Sequence, residues 1–415
     1  MEELADRLYR EREKRLTDVI QAKVPDRVPV LCQLGYFAAK YTGITVEEAM
    51  YDYDKMMAAG LKTVADLQPD AFDNPFTIRF LGPILEALDC KQLKWAGHGV
   101  GVMSTYQFVE GEYMKAQEYD DFLFDLTDYI VRTYWPRIFG ALEPFKTLPP
   151  MHQTISYYMG LLNLAAFGTP EIVGALKALS TAAAEAQKII KGALEFSEEM
   201  KKIGIPPIAG ALTQAPFDTI SDFFRGTRGA MVDMYRDPDK LLEAIDKMLP
   251  IMIQLAVSGA KRTGVPRVFI PLHKGPQFFM SLDQFKTFYW PSFRKLMLRL
   301  IDEGLVPCPF FEGDYTSRLE IIADIPKGKA CYAFESTDIF KAKEVLGGHV
   351  CIRGNVPLSL LIAGTPEDVR DHCKKLIDIV GKGGGFILDA STILDDAKPE
   401  NVKMMINFTK EYGIY

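Results

Sequence analysis

The chain has 415 residues, 48 lysines and arginines against 55 aspartates and glutamates, a net charge of −7 and 48% hydrophobic residues. That balance argues against a nucleic-acid binder, which needs a basic stripe, and no run reaches the ~18 apolar residues of a membrane-spanning helix. The six cysteines are scattered without CxxC spacing. The N-terminus is charged from its second residue and lacks a signal-peptide apolar region. Together these features predict a protein of the reducing cytoplasm, long enough for one large α/β unit.

Taken in order, Glu3–Val24 carries Leu8, Leu16, Val19 and Ile20 at near-helical spacing, which predicts an amphipathic helix packed on the outside of the main body. Eight short apolar or β-branched runs follow: Val28–Cys32, Thr63–Asp70, Pro206–Thr213, Arg267–His273, Leu305–Phe311, Lys329–Glu335, His349–Arg353 and Gly385–Asp389. Helical patterns lie between them. Thr169-Pro170, Asp237-Pro238 and Thr365-Pro366 each place a capping side chain before a first-turn proline, and Ser281-Leu-Asp-Gln284 is a capping box whose helix should end near Trp290-Pro291. Ile172–Lys202 reads as one long helix or two joined at Gly192. Residues 74–205 are too many for one βα unit and predict inserted helices. The whole predicts a single (β/α)8 TIM barrel over residues 1–415, with an N-terminal helix and helical insertions.

In such a barrel the active site lies where the C-terminal strand ends converge. The predicted strands end in Gln214, His273-Lys274, Glu312-Gly313-Asp314, Glu335, Arg353-Gly354-Asn355 and Asp389. Glu312, Glu335, Asp389 and His273 therefore form a candidate catalytic set, with acid–base or hard-metal chemistry open to it. Gln214 and Asn355 are candidate substrate contacts. Tyr36, Phe37, Phe217, Phe310 and Phe311 are candidate walls for an aromatic ring. His349 falls at the opposite end of its strand, His372 on a charged helix face, and His98 and His152 in loops. Gly97, Gly99 and Gly101 open no strand–helix unit, and Gly383-Gly384-Gly385 reads as a tight turn rather than a phosphate cradle.

Gly354-Asn-Val-Pro-Leu-Ser-Leu-Leu-Ile-Ala-Gly-Thr-Pro-Glu-Asp-Val369, Gly384-Gly-Phe-Ile-Leu-Asp389 and Lys398-Pro-Glu-Asn401 resemble the uroporphyrinogen decarboxylase superfamily, in order and spacing. So do Met280–Phe285 with Tyr289-Trp-Pro291, and Asp26-Arg-Val-Pro-Val30. The resemblance implies a (β/α)8 barrel and one of two chemistries. True decarboxylases of this kind carry an arginine-rich loop after the first strand; here that stretch is Cys32-Gln-Leu-Gly-Tyr-Phe37, which has no arginine to grip a polycarboxylate. The other branch comprises corrinoid-dependent methyltransferases, whose thiol-methylating members hold zinc on His-x-Cys and a later Cys. Here those positions read Phe310-Phe311-Glu312 and Asp389-Ala-Ser-Thr392, an exchange of soft for hard ligands that favours an oxygen-bearing substrate.

The resemblance thus implies an O-demethylase-like methyltransferase, moving methyl from a small methoxylated compound, an aryl methyl ether for example, to the Co(I) of a partner corrinoid protein. It also implies zinc held by glutamate and histidine, and the strand ends make Glu312, Glu335 and His273 the expected ligands. A decarboxylase or lyase acting on a small organic acid, and a non-catalytic docking barrel, are the alternatives.

Overall fold

The computed structural model describes residues 2–76 and 81–415. Among the described residues nine strands lie in two sheets. The smaller sheet holds β1 (Leu93–Ala96), β2 (Gly99–Val100) and β3 (Tyr106–Phe108) in the order β2-β1-β3. The larger is wholly parallel and runs in chain order through β4 (Ala211–Leu212), β5 (Arg267–Leu272), β6 (Val306–Phe311), β7 (Cys331–Phe334), β8 (Cys351–Arg353) and β9 (Phe386–Ile387).

Six of the eight expected strands are therefore regular. The remaining places are taken by segments joined through single contacts. Val30 bridges Leu388, the Asp70 amide donates to the Val30 carbonyl at 2.9 Å, and Phe72 bridges Pro207. Proline explains part of the irregularity, because Pro29, Pro206 and Pro207 have no N–H to give a ladder. The expectation of a strand over Thr63–Asp70 is corrected. Residues up to Leu67 belong to a helix, Tyr53–Leu67, that buries Met56, Gly60, Thr63, Val64 and Leu67 at helical spacing, and the strand-like piece starts only at Asp70.

The N-terminal helix, Glu2–Ile20, does not pack on the exterior as expected. Its Leu16, Val19 and Ile20 join Leu31, Ala71, Ile208, Cys308, Cys331, Cys351 and Ile387 in one buried cluster, so the helix closes the end of the sheet where strands begin. Charge fixes it there: Arg15 and Arg27 both reach the fully buried Asp70 at 2.7 Å, and Arg267 is paired with Glu13 at 2.7 Å.

Elsewhere the helix signals hold in part. Pro170–Lys202 is one uninterrupted helix. Thr365 and Ser281 form capping boxes, whereas Thr169 and Asp237 make no side-chain cap bond. The helix begun at Ser281 does not end at Pro291 but passes a π turn, Phe285–Tyr289, and continues to Asp302. The wider turn accommodates the proline just after it. Gly383, Gly384 and Gly385 all have positive φ (79°, 83°, 71°), the conformation of the expected tight turn. Among the described residues no helix is long and apolar enough to cross a membrane.

Candidate active site

Strand periodicity decides which side chains face inward. On β5 to β9 the residues Val268, Ile270, Leu272, Phe311, Phe334, Ile352 and Leu388 belong to the core beneath the surrounding helices. Cys308, Cys331, Cys351 and Ile387 face the floor cluster. Two residues further on, the same inward face carries Phe310, Ala333, Arg353 and Asp389, and then Glu312, Glu335 and Asn355. The sheet register makes rows of these. Pro271 is level with Phe310, Phe310 with Ala333, and Ala333 with Arg353. Continuing the pairing upward aligns His273, Glu312, Glu335 and Asn355, and the Val356–Ala390 bridge brings in Asp389. Outward residues of these strands are buried, whereas Phe269, Pro271, His273, Glu312, Glu335 and Asn355 are partly exposed. The strand ends therefore line a cavity open to water.

The charged centre of that cavity is a chain of three side chains. His273 Nδ1 lies 2.5 Å from Asp222 Oδ2, and His273 Nε2 lies 3.7 Å from Glu312 Oε1. Asp222 also accepts from Gln214 Nε2 at 2.7 Å, and Lys274 Nζ stands 3.5 Å from its other oxygen. Behind them Asp218 is fully buried and accepts from the amides of His273 and Lys274 (2.9 and 3.0 Å) and from the Tyr289 hydroxyl (2.7 Å). Burial alone would lower the His273 pKa. The hydrogen bond to Asp222 and the charges of Asp218, Asp222 and Glu312 outweigh it and raise the pKa to about 9. The Glu312 pKa rises too, which for a carboxylate means that the neutral form is favoured. Burial pushes it up to about 7, the nearby imidazolium opposes the rise, and Glu335, Asp218 and Asp222 add to it. Burial, then Asp222, raises Asp218 as well. The result is an imidazolium beside a carboxyl group that exchanges its proton near neutrality.

Of the expected site residues, His273, Glu312, Glu335, Gln214, Asn355 and Phe310 line or adjoin the cavity. Glu335 is held by the Gly313 amide at 2.6 Å, and Asn355 donates to the carbonyls of Glu335 and Thr337 at 3.3 and 3.1 Å. Asp389 is placed differently: it is buried and ion-paired with Arg353, Nε at 2.7 Å and Nη2 at 2.6 Å. Tyr36, Phe37 and Phe217 are corrected as ring walls. All three are core residues, Phe37 stacked on Tyr41 at 5.6 Å and Phe217 tilted against Tyr289 at 5.7 Å. The inward aromatic pair is Phe269 with Phe310, ring centres 6.3 Å apart and 25° from parallel.

Asp222 and Tyr289 were missed by sequence reasoning, and Asp218 was given no role. The two aspartates come from Pro216–Thr219 and the π turn Ile220–Phe224, past the end of β4, where only their nearness to a strand end could have marked them. The other histidines lie elsewhere. His349 bonds the Ile325 carbonyl at 2.8 Å; His98 lies in an open groove of about 710 Å³ among Glu47, Tyr51 and Glu86; His152 is exposed. His372 is not solvated as expected: its Nε2 is buried without a partner among the described residues.

As for zinc, His273 is arranged as metal-binding histidines are, with a carboxylate on one ring nitrogen and the other facing a possible co-ligand, Glu312. Among the described residues, however, no group of three or more histidine, cysteine, aspartate or glutamate side chains is gathered to hold an ion. Glu335 is engaged with the Gly313 amide.

Known proteins agree with this architecture. A methyltransferase from Methanosarcina mazei has the same fold, with a TM-score of 0.64 over 97% of this chain and 98% of its own at 16% identity. Among curated proteins, the uroporphyrinogen decarboxylase of Chlorobium phaeovibrioides is 29% identical over 140 residues, 32% of this chain and 38% of the relative. The methylated-thiol–coenzyme M methyltransferase of Methanosarcina mazei is 25% identical over 207 residues, 48% of this chain and 53% of the relative. The chain thus spans between 38% and 53% of the length of these two curated relatives. The family model for uroporphyrinogen decarboxylase (URO-D) matches residues 167–412, more than half of the chain and every regular strand of the parallel sheet, and the chain belongs to that family.

Proposed function

We propose that the chain is a methyltransferase that takes a methyl group from a small methoxylated substrate and delivers it to a corrinoid carried by a separate protein docked over the cavity, within a closed eight-unit barrel. The observation that carries this reading is the Asp222–His273–Glu312 chain at the cavity mouth. An alkoxide or phenolate is a poor leaving group, so the ether oxygen needs a proton as its bond to methyl breaks. Glu312, with its pKa near 7, is placed to donate one. His273, held as a cation by Asp222, stabilises the carboxylate left behind. Gln214 fixes Asp222, and Asp218 fixes the backbone of His273 and Lys274, so the chain is oriented before substrate arrives. The corrinoid, when present, supplies the nucleophile for methyl.

The absence of arginine from Cys32–Phe37 speaks against decarboxylation of a polycarboxylate, the chemistry that the resemblance gives to true uroporphyrinogen decarboxylases. A decarboxylase or lyase acting on a small acid remains the second reading, favoured by Arg353 at the cavity. Zinc is the alternative to protonation within this proposal: if bound, it would displace the proton of His273 Nε2, be held there and by Glu312 with Asp222 orienting the ring, and supply a Lewis acid at the ether oxygen in place of the Glu312 proton.

The test is reconstitution with a Co(I) corrinoid protein and a panel of methoxylated compounds. Loss of the Co(I) absorbance together with release of the demethylated compound supports methyl transfer. Conversion of an acid without any corrinoid replaces it with the second reading.

A further inference from the structure

One stretch of the surface departs from the rest of the chain. Residues 147–170 hold no aspartate, glutamate, lysine or arginine, in a protein that is 25% charged. Within them lie two 3-10 helices, Met151–Thr154 and Leu161–Gly168, neither of which buries a side chain. Ile155, Tyr157, Tyr158, Met159 and Leu162 are each between 70% and 85% exposed. The knob they form is nonetheless compact. The Gly160 amide donates to the Ser156 carbonyl at 2.7 Å, Asn163 Nδ2 donates to the Gln153 carbonyl at 3.2 Å, and Tyr157 and Tyr158 stand edge to face with ring centres 4.9 Å apart. A Cβ on Gly160 would lie 2.5 Å from the Gln153 carbonyl oxygen, so the turn closes tightly on itself. A surface ordered beforehand loses little entropy when it is covered.

With about 150 Å² open on each, these five side chains alone expose about 750 Å². That exceeds the largest apolar patch of a typical monomer, about 300–600 Å², and approaches the roughly 800 Å² that each partner buries in a stable complex. Charge selects the partner. A bilayer draws peripheral proteins through lysine and arginine beside the apolar face, and residues 147–170 carry none; the flanking Lys146 is paired with Glu143, and Glu171 follows at the other end. Contacts that form and release are about as polar as the rest of a protein surface, whereas a wholly apolar one suits a permanent contact. In a two-fold dimer each residue near the axis meets its own copy, so a charge there would face the same charge. A chain of net charge −7 repels its own copy in general and is spared that repulsion over this uncharged stretch.

We infer that the knob is the contact of a two-fold dimer, Tyr158 and Leu162 of one protomer packing on the same knob of its partner. The inference is independent of the methyl-transfer reading.

Sedimentation velocity of the full chain over about a hundredfold range of micromolar concentrations tests it. The wild type should form a dimer of twice 46.6 kDa. Tyr158→Asp and Leu162→Asp each place an unpaired charge in the contact, once per protomer, and should weaken association by about a hundredfold or more. Tyr235→Asp, at a comparably exposed residue of the helix Gly226–Arg236, should leave it unchanged. Hydrogen exchange of the wild type reads the same contact without substitution: the amides of residues 155–163 should gain protection as the dimer forms. A dimer that survives both knob variants, or one whose knob gains no protection, overturns the inference. So does a chain that stays monomeric, including one that pellets with phosphatidylcholine–phosphatidylserine vesicles, which would make the knob a membrane contact instead.

Discussion

Glu312 and His273 titrate in an unusual order: the carboxylic acid loses its proton near pH 7 and the imidazolium near pH 9. Between these values the pair is a salt bridge; below pH 7 it is a proton donor backed by a cation. An acid-limited reaction should therefore slow as pH rises through about 7. Glu312→Gln should cost about a hundredfold or more in turnover and remove that limb of the pH profile, as single-turnover rates between pH 5 and 9 would show. Stability follows the same groups. Both have folded pKa values above their unfolded ones, so each favours the fold when protonated. The Glu312 contribution is lost as pH rises from about 4.5 to 7, and that of His273 from about 6.5 to 9. Asp222→Asn removes the strongest support of the imidazolium. It should abolish about 1–2 kcal/mol of the stability that wild type loses between pH 6.5 and 9, after discounting for solvent near the ring, measured as the pH dependence of urea midpoints.

At the scale of elements, the site depends on what holds the strands in register. The N-terminal helix closes the floor through Leu16, Val19 and Ile20, and Asp70 clamps it by accepting from Arg15, Arg27 and the Val30 amide, all within 2.8 Å. Asp70→Ala leaves two guanidinium groups without their buried partner and should destabilise the fold by about 3–5 kcal/mol in urea denaturation. The sequence pointed to this helix by its apolar stripe but not to its place, because Leu16, Val19 and Ile20 fit the outside of a barrel as well as its floor. The same limit applies to Asp218 and Asp222. They sit in a proline-led turn and a π turn, local structures that leave no periodic mark, and only the return of the chain past β5 sets them against His273. Conversely, Arg267–Leu272 and Val306–Phe311 were legible because a strand covered on both faces must be a continuous apolar run.

At the scale of the whole molecule, the metal question is decided by composition. Protein purified without chelator should be measured for zinc by mass spectrometry beside His273→Ala and Glu312→Ala. About one zinc per chain, lost in both folded variants, would place a Lewis acid between these residues; no zinc after its addition would leave protonation by Glu312 as the activating step. The sequence by itself determined the order of the six regular strands, Arg267–Leu272 and Val306–Phe311 to within a residue and the others with overrun ends, and the inward polar ends His273, Glu312, Glu335 and Asn355. It could do so because strand alternation is a local, two-residue rule, and because residues just past strand ends converge in any parallel sheet of this kind. What only the tertiary structure decided is which of those ends face one another and which are taken by another charge. Asp389, equal to Glu312 in sequence position, is taken by Arg353, while Tyr36, Phe37 and Phe217 turn into the core. Those outcomes depend on side chains distant in the chain competing for the same space and charge, and no local pattern encodes that competition.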